Sequence, residues 1–335
     1  MIEARRVLAA VSLGAAVTAV AATAAIAQPR SHGGHGHKTT AERVFTLAPD
    51  PAGNPEGIAV DSKSKTFYVG VTVGGAIYSG TLGSDTVAPF IDGTADGSAV
   101  GMKVRKGKLY VAGGATGLIN VYDIATKALV GTFDTGAGGF LNDLVVTGKG
   151  DVFVTDSFRP MLWHVTAAQV AAGTGTPQAL DVSGSITFTP GAFNLNGIVA
   201  KDKRRLIVVQ SNTGQLWRID LSKGLDAIKK IAEVKGVSVP GGDGMIFDRG
   251  RLVVVQGGPP AQLNFIKLKH GQRKGRSEGT VTSASLHGPS TVARLGKFYL
   301  VVNADFAAAA SPPFTVSGIP RDAHRHGGHG GHGGH

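Results

Sequence analysis

The stretch Phe193 to Asp220, FNLNGIVAKDKRRLIVVQSNTGQLWRID, decides the fold. An Asn-Gly pair leads into the short apolar strand Ile198 to Ala200, a charged turn spans Lys201 to Arg205, and the β-branched run Leu206 to Gln210 follows. A second turn, Ser211 to Gly214, precedes Gln215 to Asp220, where Leu216 and Ile219 flank Trp217 and Arg218. Short runs cut by turn chemistry predict strands that meander antiparallel, because no segment is long enough for a helix of three turns.

The same grammar recurs along the chain. Further copies are PEGIAVDSKSKTFYVGVTVGGAIYSG from Pro55, AVGMKVRKGKLYVAGGATGLINVYD from Ala99, LNDLVVTGKGDVFVTDSFRPMLWHV from Leu141, GDGMIFDRGRLVVVQGGPPAQLNFIKL from Gly242 and GPSTVARLGKFYLVVNADF from Gly288. Taking Gly57, Gly101, Asp143, Gly197, Gly244 and Ser290 as equivalent, the spacings are 44, 42, 54, 47 and 46 residues, the period of a four-stranded blade. An all-β, six-bladed β-propeller follows, its blades buried on both faces, which suits continuous apolar runs such as Leu252 to Val255. The 54-residue spacing marks an insertion around Ala171 to Pro190, placed in a surface loop. The strand Glu42 to Leu47, ERVFTL, is expected to close the ring by completing the sixth blade beside strands near Phe314 to Ile319.

Residues 1–27 carry Arg5 and Arg6, then an Ala/Val-rich run ending Ala25-Ile26-Ala27. This is the layout of a secretory signal peptide, so a secreted protein, extracellular or associated with the cell wall, is expected. An uncleaved membrane anchor is the alternative, although Ser12, Gly14, Thr18 and Thr23 dilute the run. Residues 28–39 and 321–335 form disordered His/Gly-rich tails around a propeller at 40–320, and they hold eight of the eleven histidines. Imidazoles in such tails suit loose binding of Zn, Cu or Ni; a solubilising tail, or a tag at the C-terminal end, is the plainer account.

The chain has no cysteine, which excludes disulfides, thiolate–metal sites and Cys nucleophiles. Its net charge of +11 invites an anionic partner. The basic residues, however, gather at hairpins (Lys201, Lys203, Arg204, Arg205) and in the loop Lys267 to Arg276, with no aromatic ladder or nucleic-acid motif beside them. No nucleic-acid partner is therefore expected, and the propeller is expected to be a monomer.

Chemistry belongs where the first strands of the blades converge on the central channel. Blade 1 opens Asn54-Pro55-Glu56-Gly57, blade 3 Leu141-Asn142-Asp143, blade 4 Asn194-Leu195-Asn196-Gly197 and blade 5 Gly242-Asp243-Gly244. Asn-Gly and Asp-Gly are common turn signals, but a Glu at position 56 has no turn role, and four matches fall in register. Carboxylate and amide oxygens at equivalent positions suit a divalent cation, Ca, Mg, Mn or Zn, with a small-molecule substrate in the channel.

At these residues the chain resembles the senescence-marker-protein/gluconolactonase family of six-bladed propellers, over roughly residues 50 to 305. The resemblance implies Glu56, Asn196 and Asp243 as ligands of one divalent metal, with Asn142 facing the metal-bound water or the substrate. It also implies a lactone or ester hydrolase in which Asp243 serves as general base. One departure stands out: Phe140 lies where lactone-hydrolysing relatives carry an arginine, and with Phe193 it points to a less polar ligand.

A bacterial subgroup with segments like FLNDLVVT, NLNGIVA, VVQSNTG and GGDG sometimes carries a superoxide dismutase label. A redox Cu/Zn or Mn/Fe centre needs clustered imidazoles, and outside the tails the chain has only His164, His270 and His287, spread over three blades. His164 beside Trp163 is expected to be structural, and His287 is the one that can reach the channel. Trp163, Trp217, Met161 and Tyr122 are expected between blades. Two functions stay open: a secreted metal-dependent hydrolase, or a non-catalytic propeller that binds a ligand or surface partner and uses the cation as a plug.

Overall fold

The computed structural model describes residues 40–323, apart from 203, 223–224, 226–230 and 307–311. The expected signal segment, the first His/Gly-rich segment and every histidine of the C-terminal tail lie outside the described residues.

The short β-branched runs and the turns between them produce the expected meanders. Each blade's innermost strand pairs antiparallel with the second, the second with the third, and the third with the fourth. The inner strands are Pro55–Asp61, Met102–Arg105, Leu141–Val146, Leu195–Asp202, Gly242–Asp248 and Pro289–Leu295. Each inner strand touches the next around the ring, and Pro289–Leu295 touches Pro55–Asp61, so a six-bladed propeller closes around a central channel. The core lies between blades: Leu144, Val152, Val154 and Trp163 of blade 3, for example, pack with Tyr110, Ile119, Val121 and Phe133 of blade 2. Trp217 is partly buried against the cluster shared by blades 3 and 4, as expected of inter-blade core.

Arg43–Leu47 supplies the outer strand of blade 6, pairing antiparallel with Thr315–Pro320 from Arg43↔Gly318 to Thr46↔Thr315. It also does something the repeat pattern does not reveal. Thr46 and Leu47 pair in parallel with Thr86 and Val87 of blade 1, so blades 6 and 1 merge into one eight-stranded sheet. Phe45 and Leu47 are buried with Phe67, Val87, Phe314 and Val316. This strand is the fastening of a ring that has no disulfide. Phe45→Ala is expected to cost about 3–5 kcal/mol, because it empties a ring-sized space at a seam with little backbone freedom to collapse. Thermal unfolding checks this; a midpoint shift under about 2 °C would show the seam to be unimportant.

Two sequence expectations need adjusting. The insertion behind the 54-residue spacing is not all loop: Ala167–Ala172 is a short helix between the third and fourth strands of blade 3. Thr166 and Gln169 form its capping box, and Gly173 ends it at φ 73. Gln178–Asp181, within the same stretch, is the fourth strand of blade 3, and Val182 to Asn194 connects blade 3 to the inner strand of blade 4. In blade 6, moreover, the residue equivalent to Gly57, Gly197 and Gly244 is Thr291, one position beyond Ser290. Register shifts fall between Pro55 and Ile58, Leu141 and Leu144, Leu195 and Ile198, Gly242 and Met245, and Pro289 and Val292.

Candidate metal and substrate site

Those register shifts build the site. Each is a β-bulge in which two residues of the inner strand escape the regular pairing, and a bulge re-aims side chains that plain alternation would send elsewhere. The first bulge residue is Glu56, Asn142, Asn196, Asp243 or Ser290. In blade 2 the inner strand begins at Met102. Ahead of it Val100 donates to the Ala112 carbonyl and Gly101 accepts from the Ala112 N–H, so an apolar Val100 stands where the other blades carry a polar residue. The second bulge residue is glycine in blades 1, 4 and 5 because the neighbouring blade comes so close. A Cβ on Gly57 would lie 1.7 Å from the Val100 carbonyl oxygen, and one on Gly197 would lie 2.2 Å from that of Asp243. Glycine here fixes how tightly the ring closes around its polar residues.

Glu56, Asn142 and Asn196 are buried and Asp243 is half-buried, and each keeps a shielded oxygen without a hydrogen-bond partner: Glu56 Oε2, Asn142 Oδ1, Asn196 Oδ1 and Asp243 Oδ1. Buried lone pairs without donors are costly. Asp243 raises the pKa of Glu56, and the Asn196 side chain lies near enough to Asp243 to lower that of Asp243, so these three residues share one end of the channel. Asn142 is oriented from behind: its Nδ2 donates to Ser157 Oγ at 3.0 Å, and that hydroxyl donates to the Leu195 carbonyl at 2.6 Å. The amide therefore turns its oxygen away from Ser157. Ser290 instead donates to the Glu56 carbonyl at 2.8 Å, tying blade 6 to blade 1.

The electrostatics match this geometry. Burial, then the Asp243 and Asp143 carboxylates, push Glu56 well above the usual carboxylate range, with Lys103 opposing. Burial and Asp143 push Asp243 up to about 8, against the lowering influence of the Asn196 side chain and the Gly244 backbone. Two poorly solvated acids thus compete for charge in one small space. A cation between them would relieve that competition and give the orphaned oxygens a partner. Two carboxylates with neutral amide oxygens fit a hard, oxygen-seeking cation such as Ca²⁺, Mg²⁺ or Mn²⁺. Among the described residues no group of three or more His, Cys, Asp or Glu is placed to hold one metal ion, so the amide oxygens are integral to any such site.

Sequence reading missed a second charged element of the channel. Lys103, on the inner strand of blade 2, pairs with buried Asp143 at 2.8 Å. Asp143 also accepts the Leu144 and Ile198 backbone N–H groups at 2.8 and 3.2 Å. The ion pair keeps one more carboxylate from joining Glu56 and Asp243 as an unpaired charge. An acidic residue beside Asn142 and a lysine in the otherwise apolar opening GMKV were the available signals.

A repeated polar hub pins the loops that deliver these residues. The second strands end in Asp156, Gln210, Gln256 and Asn303, all buried. Each grips the connection leading into its own blade: Asp156 accepts the Phe140 N–H, Gln210 donates to the Thr187 carbonyl, Gln256 to that of Pro240 and Asn303 to that of Ser285. The Trp163 and Trp217 indoles donate to the hubs of their own blades.

His287 lies at the site end of blade 6, where Nδ1 meets the Asp305 carboxylate at 2.8 Å and Nε2 stands 3.4 Å from Thr315 Oγ1. No contact joins it to Glu56 or Asp243 among the interactions of the described residues. His164 is buried and stacked on Phe153 at 4.6 Å, and burial lowers its pKa. His270 sits in an outer hairpin of blade 5.

By the meander, the inner strands start at the same end as the loops holding Asp50, Asp92, Asp96, Asp134 and Asp305, while Lys63, Lys65, Lys106, Arg249, Lys269 and Arg273 lie in hairpins at the opposite end. The positive excess thus belongs mostly to the end away from the site. A groove lined by Ser62, Lys65, Thr81, Arg294 and Arg321 also opens at that far end.

Solved propellers share this architecture. A gluconolactonase from Xanthomonas campestris superposes with a TM-score of 0.59 at 17% identity, over 83% of this chain and 90% of that one. The fold is that of a gluconolactonase-like propeller. Virginiamycin B lyase from Staphylococcus aureus gives 0.55 at 12% identity, covering 84% and 99%, and hydrazine synthase from Kuenenia stuttgartiensis 0.54 at 15%, covering 80% and 84%. No protein-family model and no curated sequence matches the chain. Such different chemistries on one scaffold leave function to the site residues.

Proposed function

We propose that this chain is a secreted, divalent-cation-dependent hydrolase of lactones or esters, acting at the channel end lined by Glu56, Asn142, Asn196 and Asp243. The observation that carries the reading is the set of four buried oxygens, one on each residue, with no hydrogen-bond donor facing them. Glu56, Asn196 and Asp243 would hold the cation. When bound, it supplies a Lewis acid for the carbonyl and a more acidic water. Asp243 takes the proton from the attacking water. The water oxygen bonds to the carbonyl carbon, the bond to the ring or ester oxygen breaks, and the proton passes to that leaving oxygen. Asn142, fixed by Ser157, orients the water or the substrate. The acidic loops around the site suit a neutral or cationic substrate better than an anionic one.

In this proposal residues 1–27 are removed on export and the His/Gly-rich tails capture Zn, Cu or Ni loosely, apart from the channel cation. Titrating the tail-deleted domain with Ca²⁺, Mg²⁺, Mn²⁺ and Zn²⁺, followed by a lactone and ester panel, tests the reading. One tight site and turnover with that metal are expected. One tight site without turnover on the whole panel would leave the non-catalytic ligand-binding propeller.

Asn142→Ala separates orientation from metal binding. Its expected effect is a fall in kcat of about 10- to 100-fold, with metal affinity held within about threefold because both anionic ligands remain. Equal loss of both would make Asn142 a ligand instead.

A further inference from the structure

Beside Asn142, at the mouth of the channel, three aromatic rings pack together. Phe140, Phe158 and Phe193 come from three different loops, with ring centroids 5.7 Å apart for Phe140–Phe158, 5.2 Å for Phe140–Phe193 and 5.0 Å for Phe158–Phe193. Phe193 is 45% exposed, while the other two are half-buried. Resting on the hydrolase reading above, we propose that these rings form a subsite for a flat apolar substituent, an aryl or short alkyl group, carried beside the carbonyl received by the oxygen ring.

Three observations support this. The rings sit on a rigid mount. Asp156, fully buried, accepts the N–H groups of Phe140, Phe158 and Arg159 on one oxygen, at 3.0, 3.1 and 3.0 Å, and Arg159 Nε and Trp163 Nε1 on the other. Asn194 holds the Phe193 loop, its Nδ2 reaching the Ser157, Thr189 and Ala192 carbonyls. An aromatic surface held this firmly loses little freedom when it binds.

The cation beside the subsite is not free for a polyol. Arg159 is the nearby cation, and its guanidinium is engaged by Asp156, by Thr135, by the Gly136 and Ala137 carbonyls, and by the Trp163 ring at 4.8 Å. A sugar hydroxyl over these rings would give up water without a replacement partner, whereas an apolar group gains by leaving water.

Position argues for a small ligand over a protein partner. Phe140 precedes Asn142 by two residues, about 7 Å along an extended strand. The other large hydrophobic side chains exposed at this end among the described residues, Val73 and Phe306, belong to blades 1 and 6. The channel divides them from blades 3 and 4, so they do not extend the Phe surface into a wide patch.

The test uses lactams, which resist hydrolysis. Affinities of γ-butyrolactam and its γ-phenyl derivative for the metal-loaded full chain would be compared by calorimetry, in wild type, Phe193→Ala and Phe158→Ala. In wild type the phenyl lactam is expected to bind about 10-fold tighter, from one ring moved largely out of water. Both variants should lose most of that ratio and leave the parent lactam within about twofold; Phe193 is exposed enough that its variant keeps the fold. A ratio near one in wild type, or an unchanged ratio in both variants, overturns the subsite. Should the phenyl preference hold while no lactone or ester turns over, the subsite stands and the hydrolase reading fails. Should lactones turn over without a phenyl preference, the reverse is true.

Discussion

Asp243→Asn is expected to abolish stoichiometric binding of the channel cation while making the metal-free protein more stable at pH 8. The two effects share one cause. Buried Glu56 and half-buried Asp243 lie within reach of each other's charge, and their protons are held more tightly in the folded chain than in the unfolded one, Asp243 up to about 8. A carboxyl whose folded value is raised binds more protons folded than unfolded between the two values, so its contribution to stability falls as pH rises through that window. For Asp243 the window runs from the ordinary carboxylate range to about 8. The metal-free wild type should therefore weaken between about pH 4 and pH 8. The substituted amide keeps the shape, carries no charge and removes that slope, a gain on the order of 1–3 kcal/mol at pH 8. Losing one of two anionic ligands should lower cation affinity by at least about 100-fold. Calorimetric titration with Ca²⁺ or Mn²⁺ and thermal unfolding with and without chelator at pH 5 and 8 check both halves. Retained cation binding in Asp243→Asn would remove Asp243 from the site. A variant less stable than wild type at pH 8 without metal would show that the two acids do not compete.

The second large effect is expected at Asp156, which touches neither the proposed cation nor a substrate. Its carboxylate collects three backbone N–H groups, the Arg159 guanidinium and the Trp163 indole with no exposure to water. Asp156→Ala leaves Arg159 without its countercharge and several buried donors unanswered, at a cost of about 3–5 kcal/mol. The loop from Thr135 to Phe140 would lose its anchor, and with it the placement of Phe140 and Asn142. Asp156→Asn should recover part of the stability, since the amide keeps one acceptor oxygen, but not the ion pair. Chemical denaturation measures the first effect, and loss of the phenyl-lactam preference in Asp156→Asn reports the second. Full stability in Asp156→Ala would mean that Arg159 and the loop find other partners.

Much of this molecule is legible in its residue order. Turn chemistry and β-branched runs recurring at blade length are local properties, and they place strands and repeats without any knowledge of contacts. The ring residues Glu56, Asn142, Asn196 and Asp243 could be nominated because each opens a repeat, and repetition carries position into three dimensions. Blade closure by Glu42 to Leu47 followed from counting strands. What tertiary structure alone decided is whatever depends on neighbours far apart in the chain. Bulges, not the strand pattern, set the aim of the ring residues and moved the blade 6 equivalence to Thr291. The parallel pairing of Leu47 with Val87 joins residues that no local signal connects. Lys103 and Asp143 read as ordinary strand residues until ring closure brings blades 2 and 3 together. Asp156 and Arg159 read as a polar turn until three loops converge on them. Charge competition and hydrogen-bond satisfaction depend on distance through space, and in a closed ring that distance is set by the packing of blades against one another.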